Sequence, residues 1–305
     1  MTFDLPLRKV QNMPNRFASL PRRLCLAALS AALMLAAPVH AQTAREAPQD
    51  APKETPLNLK PVFDAAGTQG TMLIYDVRAA RLYAYNPERA RVAYSPASTF
   101  KIFNSLIGLE TGAVADVDND KIPWDGKVWT HHGKPILPAV CNADVSLRLA
   151  LKNSCVPAYQ ALARRVGAAQ YRRFLGAAHF GNADVSGPVD QFWLNNHLKI
   201  TTYQQIDFMR AVVGRTLPGI SARSYDALDD ILTIEQTPAY TLRAKTGWSA
   251  REGVDVGWWV GSVTRGEDRY VFAMNMDMPK MDQGPKRLEI GRAALRQAGA
   301  LPQAN

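Results

Sequence analysis

Ser98-Thr99-Phe100-Lys101 is the single Ser-x-x-Lys in 305 residues, and it opens an apolar series: Ile102, Phe103, Leu106, Ile107, Leu109. That spacing predicts a helix that follows Pro96 and closes at Gly112. Residues three apart share a helix face, so the Ser98 hydroxyl and the Lys101 amine point the same way. A hydroxyl is a poor nucleophile until a base takes its proton, and a lysine one turn away can do so if its amine is kept neutral. Backbone N–H groups at the helix start can face a developing oxyanion. Ser98 therefore reads as an acyl-enzyme nucleophile. By itself the pair is weak, because such a tetrapeptide arises by chance about once in a chain of this length.

Other pieces lie downstream. Lys245-Thr246-Gly247 occurs once, 147 residues after Ser98, at a predicted strand end. A lysine there can attract an anionic substrate group, Thr246 can donate a hydrogen bond, and Gly247 lets substrate approach the backbone. Ser154-Cys155-Val156 falls between two helical patterns and offers a second hydroxyl. In Gln191-Phe192-Trp193-Leu194, the Trp193 indole N–H needs a partner if buried, although core packing alone would also explain the residue.

The N-terminus reads as a secretory signal. Arg16, Arg22 and Arg23 precede the apolar run Leu24–Ala37, and Val39-His40-Ala41 supplies a small-residue cleavage site, so cleavage is expected after Ala41. Met13 is an alternative start. The apolar run has about 14 residues, whereas a spanning helix needs about 20, so no stable membrane anchor is expected. Removing the leader takes away five Lys/Arg and one Asp, and the formal charge falls from +9 to +5. Charges of both signs are interspersed, which leaves no nucleic-acid footprint. Cys25 leaves with the leader; Cys141 and Cys155 remain, an even count in an oxidising compartment, so a disulfide between them is expected, with two buried thiols as the alternative.

Residues 42–56, rich in Ala, Pro, Glu and Gln, read as a flexible N-terminal segment, and 57–300 as one catalytic domain. A short helix is expected within Leu57–Ala66, then strands at Thr71–Val77 and Arg81–Tyr85. From about 98 to 234 the pattern is mostly helical: Ser146–Lys152, Val156–Val166, Gln170–Ala177, Thr202–Val213 and Ser224–Leu232. Strands return at Tyr240–Lys245, Val254–Val263 and Arg269–Met276, and a last helix follows Pro285. The expected fold is α+β: an antiparallel sheet assembled from both chain ends, flanked by terminal helices, with a mostly helical lobe between.

Taken in order, Ser98-Thr99-Phe100-Lys101, Ser154-Cys155-Val156, Phe180-Gly181-Asn182, Phe192-Trp193-Leu194 and Lys245-Thr246-Gly247 resemble the motifs of the class D, oxacillinase-type, serine β-lactamases. The connecting stretches Leu106–Gly112, Trp124-Asp125-Gly126 and Gly257–Gly261 are similar too, so the resemblance runs from about residue 70 to about 295. It departs at Phe180, where the family more often has tyrosine in a mainly structural motif. Cys155 fills the variable middle position of the second motif.

The resemblance implies the serine β-lactamase and penicillin-binding transpeptidase-like fold. It also implies hydrolysis of penicillin-type β-lactams in the periplasm, giving antibiotic resistance. Ser98 would attack the lactam carbonyl, with Lys101 as an N6-carboxylated general base formed by CO2 uptake and hydrogen-bonded by Trp193. Ser154 would relay a proton to the lactam nitrogen with support from Lys245. The backbone N–H groups of Ser98 and Trp248 would form the oxyanion hole. Thr246 and Arg287 would hold the substrate carboxylate, and Gly247, Val156 and Leu194 would line the substrate site. No cofactor other than CO2 and no metal is implied, and His131-His132 reads as a solvated loop. Two rivals share the serine–lysine chemistry: a β-lactam sensor or penicillin-binding domain acylated without efficient turnover, and a peptidoglycan DD-peptidase.

Overall fold

The structure, a computed structural model, describes residues 53–131, 133–249 and 255–303. The expected signal peptide and residues 42–52 lie outside the described residues.

The strands are β1 (Lys53–Pro56), β2 (Gly70–Asp76), β3 (Arg81–Tyr85), the two-residue pieces β4 (Lys121–Ile122), β5 (Thr130–His131), β6 (Lys134–Pro135) and β7 (Val145–Ser146), then β8 (Thr233–Gln236), β9 (Thr241–Ser249), β10 (Val256–Arg265) and β11 (Asp268–Asp277). Seven form one sheet in the order β1-β3-β2-β11-β10-β9-β8. The two chain ends meet where β2 pairs antiparallel with β11, from Met276 opposite Gly70 to Tyr270 opposite Asp76. The sheet is thus assembled from both ends, as strands at both chain ends with helices between imply.

Helices cover both faces. They are α1 (Lys60–Ala65), α2 (Pro87–Ala90), α3 (Lys101–Glu110), α4 (Leu147–Lys152), α5 (Val156–Val166), α6 (Ala168–Ala177), α7 (Thr202–Val213), α8 (Ala222–Leu232) and α9 (Lys286–Gln297). Side chains alternate across a strand, so the inner strands β2, β10 and β11 each feed two cores. Met72, Ile74, Trp259, Phe272 and Met274 face the terminal helices with Phe63, Ile290 and Leu295. Leu73, Tyr75, Trp258, Val260, Val271 and Ala273 face the helical lobe. This explains why β10 and β11 read as nearly continuous apolar runs: both their faces are buried.

The structure corrects the sequence reading at three places. Lys53–Pro56, expected within a flexible segment, form the edge strand β1 and pair in parallel with β3, so the sheet is mixed rather than wholly antiparallel. Edge pairing uses backbone groups, and the sequence Lys-Glu-Thr-Pro carries no apolar pattern to announce it. β8 follows α8 directly, with Thr233 as the turning residue in extended geometry and neither Gly nor Pro to mark it. β9 continues to Ser249, which puts Lys245-Thr246-Gly247 inside a strand rather than at its end.

The approach of α9 to the sheet depends on one glycine. A Cβ at Gly291 would lie 2.2 Å from the Trp259 ring. Gly291→Val should therefore force α9 off the sheet and cost about 1–3 kcal/mol, the usual penalty for overpacking. Urea denaturation checks this; an unchanged midpoint would mean that α9 shifts without cost.

Candidate active site

The nucleophile segment is pinned by its backbone and its neighbours. Residues Ala97–Phe100 form a 3-10 turn that runs directly into α3. Ala97 lies in the left-handed region at φ 46°, a conformation that costs a non-glycine residue about 1–3 kcal/mol and persists only where surroundings enforce it. The enforcement is visible. Ser95 Oγ donates to the Trp193 carbonyl at 2.9 Å, and the Trp258 indole donates to the Ser95 carbonyl at 2.9 Å. Thr99 Oγ donates to the Pro96 carbonyl at 2.7 Å and accepts from Gln205 at 3.0 Å. Gly247 packs on this turn, where a Cβ would meet the Pro96 carbonyl oxygen and Thr99 at 3.1 Å.

Lys101 is fully buried, and its Nζ donates to Ser98 Oγ at 2.8 Å. No carboxylate pairs with it among the described residues. The amine lies 5.1 Å from the centroid of the Tyr159 ring. A cation over an aromatic face gains about 0.5–2 kcal/mol, which favours the ammonium. Burial without a counter-ion acts the other way and is stronger, and the nearby Lys245 charge adds to it; the Lys101 pKa falls well below the ordinary lysine value. Lys245 is itself buried, with its pKa lowered to about 7 by burial and by Arg287. Tyr159 was not singled out from sequence, although it stands one helical turn after Val156.

Behind Lys101 lies an aromatic core. The Phe100 ring has Tyr171, Phe180, Phe192 and Trp193 within 5.3–6.1 Å, centroid to centroid. Phe180 also packs on Phe103 and Phe208 at 5.4 and 4.9 Å, and in that shell a phenol oxygen has no role. Gly181 is required there, since at φ 55° a Cβ would lie 2.1 Å from the Lys199 carbonyl oxygen. Trp193 is fully buried, yet its Nε1 has no hydrogen-bond partner among the described residues. Leaving a buried donor unpaired costs about 1–3 kcal/mol. An anionic oxygen on the Lys101 amine fits this pair of observations: a desolvated, deprotonation-prone amine and an indole N–H without an acceptor.

A cleft of ≈ 450 Å³ opens over this machinery. Of the residues singled out from sequence, Ser98, Ser154, Val156, Leu194, Thr246, Gly247, Trp248 and Arg287 line it. Lys101, Trp193 and Lys245 sit behind its wall, buried. Arg287 donates to the Gly247 carbonyl at 2.5 Å and to the Gly284 carbonyl at 2.9 Å, which holds its guanidinium against the β9 strand; burial lowers its pKa to about 10. The Trp248 indole donates to Asp255 at 3.1 Å. Ile136, Leu137 and Pro138 also line the wall and were not anticipated; they sit in irregular chain with no motif to mark them.

Cys141 and Cys155 are disulfide-bonded. Closing this loop, with a sequence separation of 14, contributes about 3 kcal/mol in the chain-entropy model. Among the described residues no group of three or more His, Cys, Asp or Glu could hold a metal ion. His132 lies outside the described residues, so the expectation for that pair is not addressed by the fold.

A serine held against a buried, uncompensated lysine, between a helical lobe and a sheet strand bearing Lys-Thr-Gly, defines a serine acyl-transfer enzyme of the penicillin-recognising fold. The model of the penicillin binding protein transpeptidase domain matches residues 58–296. β-Lactamase OXA-48 of Klebsiella pneumoniae is 38% identical over 240 residues, covering 79% of this chain and 87% of that protein. β-Lactamase OXA-5 of Pseudomonas aeruginosa is 35% identical over 242 residues, covering 78% and 87%. The crystal structure of the class D β-lactamase YbXI from Nostoc superposes with a TM-score of 0.74 at 37% identity, over 80% of this chain and 99% of that one. The chain belongs to the class D β-lactamase family.

Proposed function

We propose that this protein hydrolyses the β-lactam ring of penicillin-type antibiotics through an acyl-enzyme on Ser98, and so confers resistance to them. The observation that carries the reading is the 2.8 Å contact between Ser98 Oγ and the amine of a fully buried lysine whose pKa is strongly lowered. Ser98 Oγ attacks the lactam carbonyl carbon and gives up its proton on the Lys101 side. The backbone N–H groups of Ser98 and Trp248 receive the oxyanion. The ring C–N bond breaks, and Ser154, supported by Lys245, passes a proton to the departing nitrogen. Thr246 and Arg287 hold the substrate carboxylate, and Val156 and Leu194 give its side chain an apolar wall. Water then cleaves the ester and restores Ser98. CO2 held as a carbamate on the Lys101 amine would supply the anionic oxygen base, and Trp193 Nε1 would hydrogen-bond it.

A periplasmic location follows from the leader-like N-terminus and accords with the disulfide. Among the described residues no helix is long and apolar enough to cross a membrane.

The test is steady-state turnover of a chromogenic cephalosporin and a penicillin, beside a D-Ala-D-Ala peptide. Many turnovers of the lactams and no release of D-Ala are expected. A single stoichiometric burst would identify a sensor instead, and D-Ala release would identify a peptidase.

A further inference from the structure

Among the described residues, the disulfide is the link between two parts of the cleft that otherwise share a 3.8 Å contact of Cys141 Sγ with the Asn153 carbonyl. Cys141 ends the 3-10 turn Ala139–Cys141, which directly follows the wall residues Ile136, Leu137 and Pro138. Cys155 stands between Ser154 and Val156, which line the same cleft. The hydrogen bonds of the wall are local. β5 pairs with β6 over two residue pairs, Ile136 N donates to Trp129 O at 3.0 Å, and Cys141 N donates to Pro138 O at 2.9 Å.

Ser154 has its own need for restraint. Its φ of 55° places a non-glycine residue in the left-handed region, which persists only where the surroundings impose it. The next residue, Cys155, is the N-cap of α5 and makes no side-chain capping hydrogen bond. Backbone bonds from Ser154 N to Leu151 O (3.2 Å) and from Cys155 N to Ala150 O (2.9 Å) hold the corner on its α4 side. On the cleft-wall side the covalent tie is the sulfur of Cys141.

We propose that the Cys141–Cys155 disulfide is a positioning element for acylation. It holds the Ser154 hydroxyl and the Ile136–Pro138 wall in register with Ser98, so that opening of the lactam ring depends on the bond. Hydrolysis of the acyl-enzyme does not, because that step relies on Lys101 and Trp193, seated in the aromatic core. This rests on the proposed β-lactamase reading and assigns the cysteines a place within it. The physical basis is that a catalytic group displaced by about 1 Å can cost on the order of 100-fold in rate.

The experiment compares the oxidised enzyme with Cys141→Ala/Cys155→Ala, each with Ser154 intact and as Ser154→Ala. Stopped-flow with a slowly released β-lactam gives the acylation constant, and chase of the isolated acyl-enzyme gives deacylation. Breaking the bond should lower acylation by about 10-fold and change deacylation by less than about 2-fold; with Ser154→Ala the loss should shrink below about 3-fold, the coupling expected of groups acting together.

An equal loss in both backgrounds, an equal loss in both steps, or no loss would overturn the proposal and leave the bond a general staple. If the alanine pair does not fold, wild type reduced by a phosphine supplies the comparison. There the S–S bond takes two electrons and two protons, the phosphine takes the oxygen of water, and a count of two thiols verifies reduction. Oxidised wild type that is not acylated at all would instead sink the β-lactamase reading.

Discussion

Ser98→Ala loses covalent labelling by a fluorescent penicillin and loses turnover by on the order of 10⁴-fold or more, because Ser98 is the cleft hydroxyl hydrogen-bonded to the buried Lys101 amine. Lys101 cannot substitute: it is fully buried behind the cleft wall and has the Ser98 hydroxyl as its hydrogen-bond partner. Folding should survive. The Ser98 side chain is half-buried in a cleft, and a substitution that makes neither a cavity nor a clash changes stability by about 1 kcal/mol or less. Labelling on a gel, with the thermal midpoint measured on the same sample, separates the two effects. Labelled Ser98→Ala protein would place the nucleophile elsewhere.

The second large effect concerns CO2. Carbamate forms from the neutral amine, and burial lowers the Lys101 pKa. Activity should therefore be present above that lowered value and fall as pH drops through it and the amine takes up a proton. Stability moves in the same direction. Between the ordinary lysine value and the lowered one, the unfolded chain binds a proton that the folded chain does not, so acidification favours unfolding. In degassed, mildly acidic buffer, turnover should decay during assay and recover on adding bicarbonate.

Trp193 is the residue that makes this prediction specific. Its unpartnered indole N–H should stabilise an anionic acceptor by about 1.5–3 kcal/mol, so a variant without it should need roughly 10- to 100-fold more bicarbonate for half activity. Trp193→Phe is the informative change, because it keeps an aromatic ring against Phe100 and Phe192 and removes the donor. Trp193→Ala would also open a cavity, at about 3–5 kcal/mol. The carbonyl-13C signal of the carbamate gives a readout independent of turnover. Bicarbonate-independent activity in both wild type and Trp193→Phe would exclude the carbamate while leaving the enzyme a β-lactamase.

Much of the molecule was legible in the chain because the signals are local. The limits of α5 and α7 follow from apolar spacing, and α7 carries a capping box between Thr201 and Gln204. The burial of β10 and β11 on both faces follows from their apolar runs. Ser98 and Lys101 share a turn, so three residues of spacing already place the hydroxyl beside the amine. Ser154, Thr246 and Arg287 were legible only through the order of motifs along the chain. What escaped was structure without a side-chain pattern: β1, which pairs through its backbone, and the Ile136–Pro138 wall, which holds no motif.

The sequence by itself determined the candidates for the chemistry, because residue type and a spacing of three place a hydroxyl and an amine as neighbours. Only the tertiary structure decided what surrounds them. Lys245, 147 residues after Ser98, comes near enough for its charge to act on Lys101 because β9 pairs with β10 and lies against the Ala97–Phe100 turn. Lys101 loses its proton readily because it is fully buried and, among the described residues, no carboxylate pairs with it. Desolvation belongs to the packed surroundings of a group and to no residue in the chain, so the state of the lysine that governs the reaction appears only when the two lobes close on it.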